Sequence, residues 1–288
     1  MDASYFFNGG PERLLYVNQS KASAALSAAL SDSDIFANLR WVVVNDTRYG
    51  GGGGYFAVFA GGNTYAGELA LHETGHSLSG LADEYVDTSY GQTVYSGPEP
   101  YEVNITKDPS GTKWSQWLGY QDSLGVVGAY EGAGYYPYGL YRPTLTSKMR
   151  TLGQPFNAVS REKIIQDIYN VVYPLDGFLA ASGVLVDPAE LWVDVIDPNV
   201  QQIDWYVDSL LVPGAAGETF RLQDYGYGPG QYDVYAHVFD PTEWVRVGRG
   251  RMEDYADWSV ELTPEPVSLS LVLAGASVLL LRRPRVRN

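Results

Sequence analysis

The 288-residue chain contains no cysteine, so disulfide bridges and thiolate metal sites are both excluded. It has only three histidines, which leaves few candidates for a site that needs imidazole. Basic residues are also scarce: 19 Lys and Arg face 34 Asp and Glu, for a formal net charge of -15. That charge argues against nucleic acid or an anionic membrane surface as the main partner.

Tyrosine (23) and glycine (32) are abundant, as in extracellular proteins rich in strands and loops. The glycine run Tyr49–Gly54 lacks the Gly-Lys-Ser/Thr ending of a phosphate-binding loop, which excludes nucleotide binding there. Glycines beside a strand let another backbone approach closely. The run is therefore either an edge to which a peptide substrate adds as a strand, or a mobile hairpin with no role in binding.

Two of the three histidines belong to one short motif, His72-Glu73-x-x-His76. On a helix, positions i and i+4 share one face, so His72 and His76 can bind one metal ion from the same side. Glu73 follows the first histidine and can reach a water bound to that metal. The spacing therefore predicts a Zn²⁺ site with two imidazole ligands and Glu73 as the general base of a hydrolase.

The residues around this motif predict a helix from Asn63 to Leu78, with Asn63 or Thr64 as its cap. Leu71 and Leu78 lie seven residues apart and are expected to form its buried stripe. Gly80 is expected to end the helix in the left-handed conformation and to turn the chain back.

A carboxylate follows that turn at a distance suited to a third metal ligand. Asp83 comes three residues after Gly80, and in the metzincin pattern the third ligand likewise follows a glycine by three. We predict Asp83 as the third ligand and keep the adjacent Glu84 as the substitute.

The stretch from His72 to Tyr85 resembles the active-site signature of the IgA-peptidase family of bacterial zinc metallo-endopeptidases, His-Glu-x-x-His-x-x-x-Gly-Leu-x-Asp-Glu-Tyr. The fixed positions of that signature are His72, Glu73, His76, Gly80, Leu81, Asp83, Glu84 and Tyr85. Further similar segments are Val44–Asp46, Tyr49–Gly51, Tyr141–Pro143 and Lys148–Arg150. The resemblance covers roughly residues 1–172. It implies a peptidase fold and a zinc cofactor, but does not identify which protein or peptide is the substrate. A lone methionine usually only fills a core, and it is the resemblance that favours Met149 as a structural methionine turn beneath the metal.

The predicted organisation is an α/β (α+β) zincin- or metzincin-like peptidase domain at 1–173, a small all-β sandwich of immunoglobulin-like type at 174–262, and a hydrophobic tail at 263–288. In the first domain we expect a buried strand at Trp41–Asn45, a second strand at Tyr55–Ala60 and a closing helix at Arg161–Val171. The strands expected in the sandwich are Leu191–Ile196, Ile203–Val207, Thr219–Leu222, Tyr232–Phe239 and Trp244–Val247. The third histidine, His237, lies in one of them and is expected to be structural.

The tail begins with Pro264-Glu265-Pro266 and continues with the mostly apolar residues 267–281, after which come Arg282, Arg283, Arg285 and Arg287. It is similar to the Pro-Glu-Pro (PEP-CTERM) sorting signal of Gram-negative bacteria, which implies an exosortase as partner, transient anchoring in the inner membrane, and a cell-surface or extracellular location. An ordinary C-terminal membrane anchor is the alternative, and it also places the body of the protein outside the cytoplasm. Since the first residues do not read as a signal peptide, we expect the given start to be internal to a longer protein, with the peptidase domain incomplete at its N-terminus.

The favoured function is a secreted or surface zinc-dependent endopeptidase in which Glu73 activates water, with Tyr85 or Tyr141 as candidates to assist. The alternative is a surface-anchored binding or matrix protein whose zinc site is vestigial or structural. A structural site would close its coordination and would have no need of Glu73.

Overall fold

A computed structural model of the chain describes residues 2–6 and 12–264. The chain divides into two compact units, of which the first comprises 1–173 with 241–253, and the described part of the second comprises 174–240 with 254–264. Small sheets and a few helices give a mixed α/β structure. The predicted sorting tail lies, from Glu265 on, outside the described residues. Among those that are described, no helix has the length and apolar character needed to cross a membrane.

The first unit contains three α-helices and nine short strands among its described residues. The helices are α1 (Gln19–Ala29), α2 (Ala66–Ser79) and α3 (Ala158–Ile168). The strands are β1 (Ala3–Ser4), β2 (Tyr16–Val17), β3 (Trp41–Val44), β4 (Gly51–Gly52), β5 (Ala57–Ala60), β6 (Gln121–Asp122), β7 (Gly125–Val126), β8 (Tyr130–Ala133) and β9 (Tyr136–Arg142). Short 3₁₀ helices occur at Thr88–Tyr90, Thr112–Trp117 and Arg249–Arg251.

A three-stranded sheet of order β3-β5-β4 supports the helix that carries the histidines. β5 runs parallel to β3 and antiparallel to β4. Val58 of β5 clusters with Ala22 of α1, and Phe59, the next residue, clusters with Leu69 of α2. Because successive strand residues point to opposite faces, β5 is buried on both sides between the two helices.

β3 differs from the prediction of a buried strand. Trp41 is 51 % exposed and Val43 is 59 % exposed, whereas Val42 between them is buried. The predicted strand is confirmed, but its full burial was wrong, because β3 is an edge strand and the face that carries Trp41 and Val43 is only partly covered.

Helix α2 ends as predicted but begins later. Gly80 adopts the left-handed conformation with φ of 58° and caps the helix, which confirms that prediction. At the start, the Asn63 side chain accepts a hydrogen bond from the Tyr65 N–H and forms a turn before the first helical residue. The expected buried stripe was wrong at Leu71, which is 47 % exposed, because the sheet covers the face that contains Leu69 instead.

Helix α3 secures the returning segment 241–253 to the first unit through one buried carboxylate. Glu162 accepts hydrogen bonds from the Trp117 indole at 2.6 Å and from the backbone N–H of Arg246 at 2.6 Å and Val247 at 3.1 Å. The strand predicted at Trp244–Val247 is therefore wrong, since these N–H groups bond to a side chain rather than to a neighbouring strand.

The second unit consists of two small sheets that contribute to one apolar cluster. One has the order β10-β12-β15, and the other has the order β11-β17-β16-β13-β14. The strands are β10 (Leu175–Phe178), β11 (Leu185–Val186), β12 (Leu191–Val195), β13 (Gln202–Val207), β14 (Leu210–Leu211), β15 (Thr219–Phe220), β16 (Gly230–Phe239) and β17 (Glu253–Leu262). Residues Leu222–Tyr225 form a 3₁₀ helix.

Buried aromatic rings occupy the centre of that cluster. Trp205 of β13 stacks on Phe220 of β15 at 4.9 Å and on Trp258 of β17 at 5.6 Å between ring centroids. β17 is one of the two longest strands of the unit, yet it was not predicted. His237 of β16 stacks on Tyr255 and Phe239.

Candidate active site

Helix α2 brings the two histidines of the motif together. The Nε2 atoms of His72 and His76 lie 3.2 Å apart, and their rings meet edge to face. Four residues advance an α-helix by slightly more than one turn, so both side chains leave the helix on one face.

Backbone carbonyls orient both imidazoles. The His72 Nδ1 lies 3.0 Å from the Lys148 carbonyl oxygen, and the His76 Nδ1 lies 2.6 Å from the Leu81 carbonyl oxygen. A carbonyl only accepts, so each neutral ring carries its proton on Nδ1 and presents the lone pair of Nε2. This arrangement is the one that metal-binding histidines use.

Asp83 completes a triangle with the two Nε2 atoms. Its Oδ1 lies 3.0 Å from the His72 Nε2 and 3.4 Å from the His76 Nε2. Oδ1 is buried and has no hydrogen-bond donor among the described residues. With both imidazoles neutral, the three lone-pair donors repel one another, and a cation bound between them removes that repulsion.

The size of the triangle suits zinc. Tetrahedral Zn²⁺ with bonds of about 2.0–2.1 Å separates neighbouring donor atoms by about 3.3–3.4 Å. The three separations are 3.0, 3.2 and 3.4 Å. Two imidazoles and one carboxylate also form a ligand set typical of zinc sites that keep one position open.

Glu73 lies beside this triangle in a buried position. It is 6 % exposed, and its carboxylate lies within 4.8 Å of a ring nitrogen of each histidine. Burial raises the pKa of Glu73 to about 7, against the opposing effect of the two histidines. Asp83 adds to the rise. A carboxyl group with this pKa exchanges protons readily near neutral pH.

The glycine run packs directly on the helix. A Cβ placed on Gly51 would lie 2.2 Å from the Glu73 Oε1, and one placed on Gly53 would lie 2.3 Å from the His76 Cβ. The outer edge of β4 is already paired at Gly51, whose carbonyl accepts from the Leu15 N–H at 3.0 Å. The glycine run thus allows the backbone of β4 to lie close against α2. A substrate strand cannot pair with Gly51 while Leu15 occupies that edge.

Glu84, the substitute third ligand, is not brought to the histidines. Its fully buried carboxylate accepts hydrogen bonds from Ser147 at 2.6 Å, Asn157 at 2.9 Å and Asn104 at 3.0 Å. Burial raises the pKa of Glu84, and these donors oppose the rise. The geometry therefore favours Asp83 over Glu84 as the third ligand.

Met149 lies under the helix. Its side chain is fully buried, and a Cβ on Gly75 would approach its sulfur to 2.8 Å. The adjacent Lys148 forms an ion pair with Glu68 in the first turn of α2. That ion pair holds the segment whose carbonyl accepts from His72.

Of the predicted assisting tyrosines, Tyr85 lines the cleft, and the Arg13 guanidinium lies over its ring at 5.5 Å from the centroid. Tyr141 instead pairs through its backbone with Thr106. The tyrosine that contacts the candidate ligands is Tyr135, whose hydroxyl donates to the Asp83 Oδ2. Burial and the charge of Asp83 raise the pKa of Tyr135, so it remains a donor. With 23 tyrosines in the chain, no feature of the sequence singled it out.

The triangle opens into a cleft of about 1320 Å³. Its walls include the glycine run, the segment after Asp83 and the tip of the β8–β9 hairpin. A cleft of this size has room for an extended stretch of peptide.

Comparison with protein families gives a match to the IgA peptidase M64 family over residues 3–126 and 122–168, more than half of the chain. The chain belongs to the IgA peptidase M64 family. The M64 match supports a peptidase, and the His-Glu-His group in the structure accords with the metal dependence general among M64 peptidases. His72, Glu73, His76, Asp83 and Met149 all lie within the matched residues. No curated protein matches the chain.

Proposed function

We propose that this M64 peptidase is a zinc-dependent endopeptidase that uses Glu73 as its general base. The observation that carries the proposal is the convergence of three lone-pair donors at 3.0–3.4 Å beside the buried Glu73 carboxylate. His72, His76 and Asp83 would hold the ion. When bound, Zn²⁺ would polarise the substrate carbonyl and acidify the attacking water.

The remaining steps fall to side chains of this chain. Glu73 accepts the proton of the attacking water and then delivers it to the leaving amine. Burial raises the pKa of Glu73, which makes it a stronger base than an exposed carboxylate. The Nδ1 hydrogen bonds to Lys148 and Leu81 keep both imidazoles in the same tautomer throughout the cycle.

Several features of the proposal extend beyond the site. We propose a metzincin-like fold for the first unit, supported by the order of sheet, active-site helix, glycine turn, third ligand and buried Met149. For the second unit we propose an immunoglobulin-like sandwich, supported by its two small sheets and their common core. The sequence of the tail supports export, exosortase processing with transient inner-membrane anchoring, and a final location at the cell surface.

The test compares the full chain with Glu73→Gln, and with Glu190→Gln as a matched control at an exposed position of the second unit. Zinc is measured by elemental analysis, and cleavage is measured on a denatured protein mixture. We expect one zinc per chain in all three proteins. Cleavage should fall by about 10²–10⁴-fold in Glu73→Gln alone, which is the usual contribution of a general base.

Other outcomes would contradict the proposal in distinct ways. Full activity of Glu73→Gln would show that another residue is the general base. Zinc without cleavage in the unmutated chain would favour a surface binding protein with a structural metal. An unmutated chain without zinc would refute the metal site itself.

A further inference from the structure

The tip of the β8–β9 hairpin is bound to the segment that carries the third ligand. Gly134 and Tyr135 form the two-residue turn between the paired residues Ala133 and Tyr136. The Gly134 N–H donates to the Asp83 carbonyl at 2.9 Å, and the Tyr135 N–H donates to the Tyr85 carbonyl at 3.0 Å. The hairpin tip therefore fixes the backbone on both sides of Glu84.

The Tyr135 backbone is strained. Its φ is 73°, in the left-handed region that residues with a Cβ rarely adopt, and two-residue hairpin turns of this kind favour Asn-Gly. A bulky residue persists in such a conformation only where its surroundings hold it there. Here the side chain is held as well as the backbone, because its ring packs against Tyr85 and Tyr90.

The hydroxyl of that strained residue engages one oxygen of Asp83. Tyr135 donates to Oδ2, while Oδ1 faces the two histidines and has no donor among the described residues. The two oxygens of the carboxylate thus have different roles. A carboxylate with both oxygens free can rotate, or can bind a metal through both of them.

We infer that Tyr135 is a positioning residue for the third zinc ligand, which holds Asp83 so that it binds through Oδ1 alone. The inference rests on the proposed function, because it assumes that the ion binds at His72, His76 and Asp83. It extends that function by assigning a role to a residue 52 positions from Asp83.

The experiment uses the full chain and the variant Tyr135→Phe, which removes only the hydroxyl oxygen. The matched control is Tyr138→Phe on β9, whose hydroxyl donates to Gln92 at 2.8 Å. The dissociation constant for zinc is measured by competition with a chelator. Loss of a hydrogen bond that orients a metal ligand typically weakens metal binding by about 10–100-fold. We expect that loss in Tyr135→Phe and no change in Tyr138→Phe.

A spectroscopic measurement separates positioning from a general effect on the fold. Co²⁺ in place of zinc absorbs visible light more strongly in four-coordinate than in five-coordinate sites. If Asp83 becomes free to bind through both oxygens, the cobalt spectrum of Tyr135→Phe should weaken and shift relative to both the unmutated chain and Tyr138→Phe. An unchanged spectrum together with unchanged zinc affinity would overturn the inference.

A double-mutant cycle with Asp83→Asn completes the test. If Tyr135 acts through Asp83, Tyr135→Phe should cost little further zinc affinity in the Asp83→Asn background. An equal loss in both backgrounds, or a fall in cleavage with zinc binding unaltered, would contradict the positioning role. If the unmutated chain binds no zinc, the proposed function and this inference fail together, whereas equal zinc affinity and an unchanged cobalt spectrum in Tyr135→Phe refute this inference alone.

Discussion

Gly51 offers a way to displace the candidate base without touching it. The residue lies on β4, which packs against α2, and a Cβ added there would lie 2.2 Å from the Glu73 Oε1 and 2.9 Å from its Cδ. Carbon and oxygen atoms in contact are normally about 3.5 Å apart. In Gly51→Ala, the Glu73 carboxylate must therefore move by about 1 Å or more.

The size of the effect follows from that displacement. Moving a catalytic group by about 1 Å costs about 10²-fold in rate, which corresponds to about 2.7 kcal/mol of transition-state stabilisation. The three atoms nearest to the new methyl group all belong to Glu73, and none belongs to a histidine. Zinc binding should therefore survive while kcat/KM falls about a hundredfold.

A second glycine provides the contrasting case. At Gly53 the nearest atom to an added Cβ is the His76 Cβ at 2.3 Å, which is attached to the helix backbone and cannot swing aside. Gly53→Ala should therefore weaken zinc binding as well as cleavage. Gly67→Ala is the control. Gly67 lies on α2, the helix that carries His76, and no atom lies within 4 Å of a Cβ added there. It should leave zinc content and kcat/KM unchanged.

The assay measures zinc by elemental analysis and kcat/KM on an unfolded protein substrate, with a thermal melt to confirm folding. Full activity of folded, zinc-loaded Gly51→Ala would refute the reasoning, because the base would then tolerate the displacement. Equal loss of zinc in Gly51→Ala and Gly53→Ala would also refute it, since the two glycines would not act on separate groups.

Two further predictions concern the fold of the first unit. Glu162→Ala should lower the free energy of unfolding by about 3 kcal/mol, because it leaves the buried Trp117 indole and two backbone N–H groups without their acceptor; an unchanged urea midpoint would contradict this. Hydrogen bonds from Ser89, and then Arg13, lower the pKa of Asp87 from its ordinary value of 3.8 to about 2. Because the folded-state pKa is the lower one, the stabilisation is present above about pH 4 and is lost as the pH falls through about 2. Asp87→Asn should reduce the dependence of the urea midpoint on pH in that window, and an equally steep dependence would show that other groups dominate.

The local parts of the site follow from spacing along the chain. His72 and His76 share a helical face, and the left-handed Gly80 returns the chain within a few residues, so the sequence alone brings Asp83 near the pair. Which apolar residues of α2 become buried was not predictable in this way. Leu69 and Leu71 are both apolar enough to be buried. The sheet, whose position is set by distant residues, covers Leu69 and leaves Leu71 exposed.

The errors at Trp41–Val44 and Trp244–Val247 have the same origin. Both segments are apolar enough for a buried strand. The first lies at a sheet edge with one face exposed, and the second has its N–H groups bound by Glu162, more than eighty residues earlier. Tyr135 was missed for a related reason, because its partner Asp83 is 52 residues away and tyrosine is common throughout the chain. Patterns report local periodicity, whereas these roles depend on contacts between distant segments.

The order Asp83-Glu84-Tyr85 explains why only one of two adjacent carboxylates faces the histidines. The carbonyls of Asp83 and Tyr85 accept hydrogen bonds from the hairpin tip, whereas the N–H of Glu84 donates to the Met149 carbonyl at 2.8 Å. The backbone of this segment thus bonds alternately to the hairpin tip on one side and to Met149 on the other, which is the pattern of an extended chain. In an extended chain, successive side chains point in opposite directions. Asp83 is directed towards the histidines, and Glu84 is directed into the polar cluster of Ser147, Asn104 and Asn157. Deleting or inserting one residue before Asp83 would exchange these directions, so the spacing between Gly80 and Asp83 matters as much as the identity of the ligand.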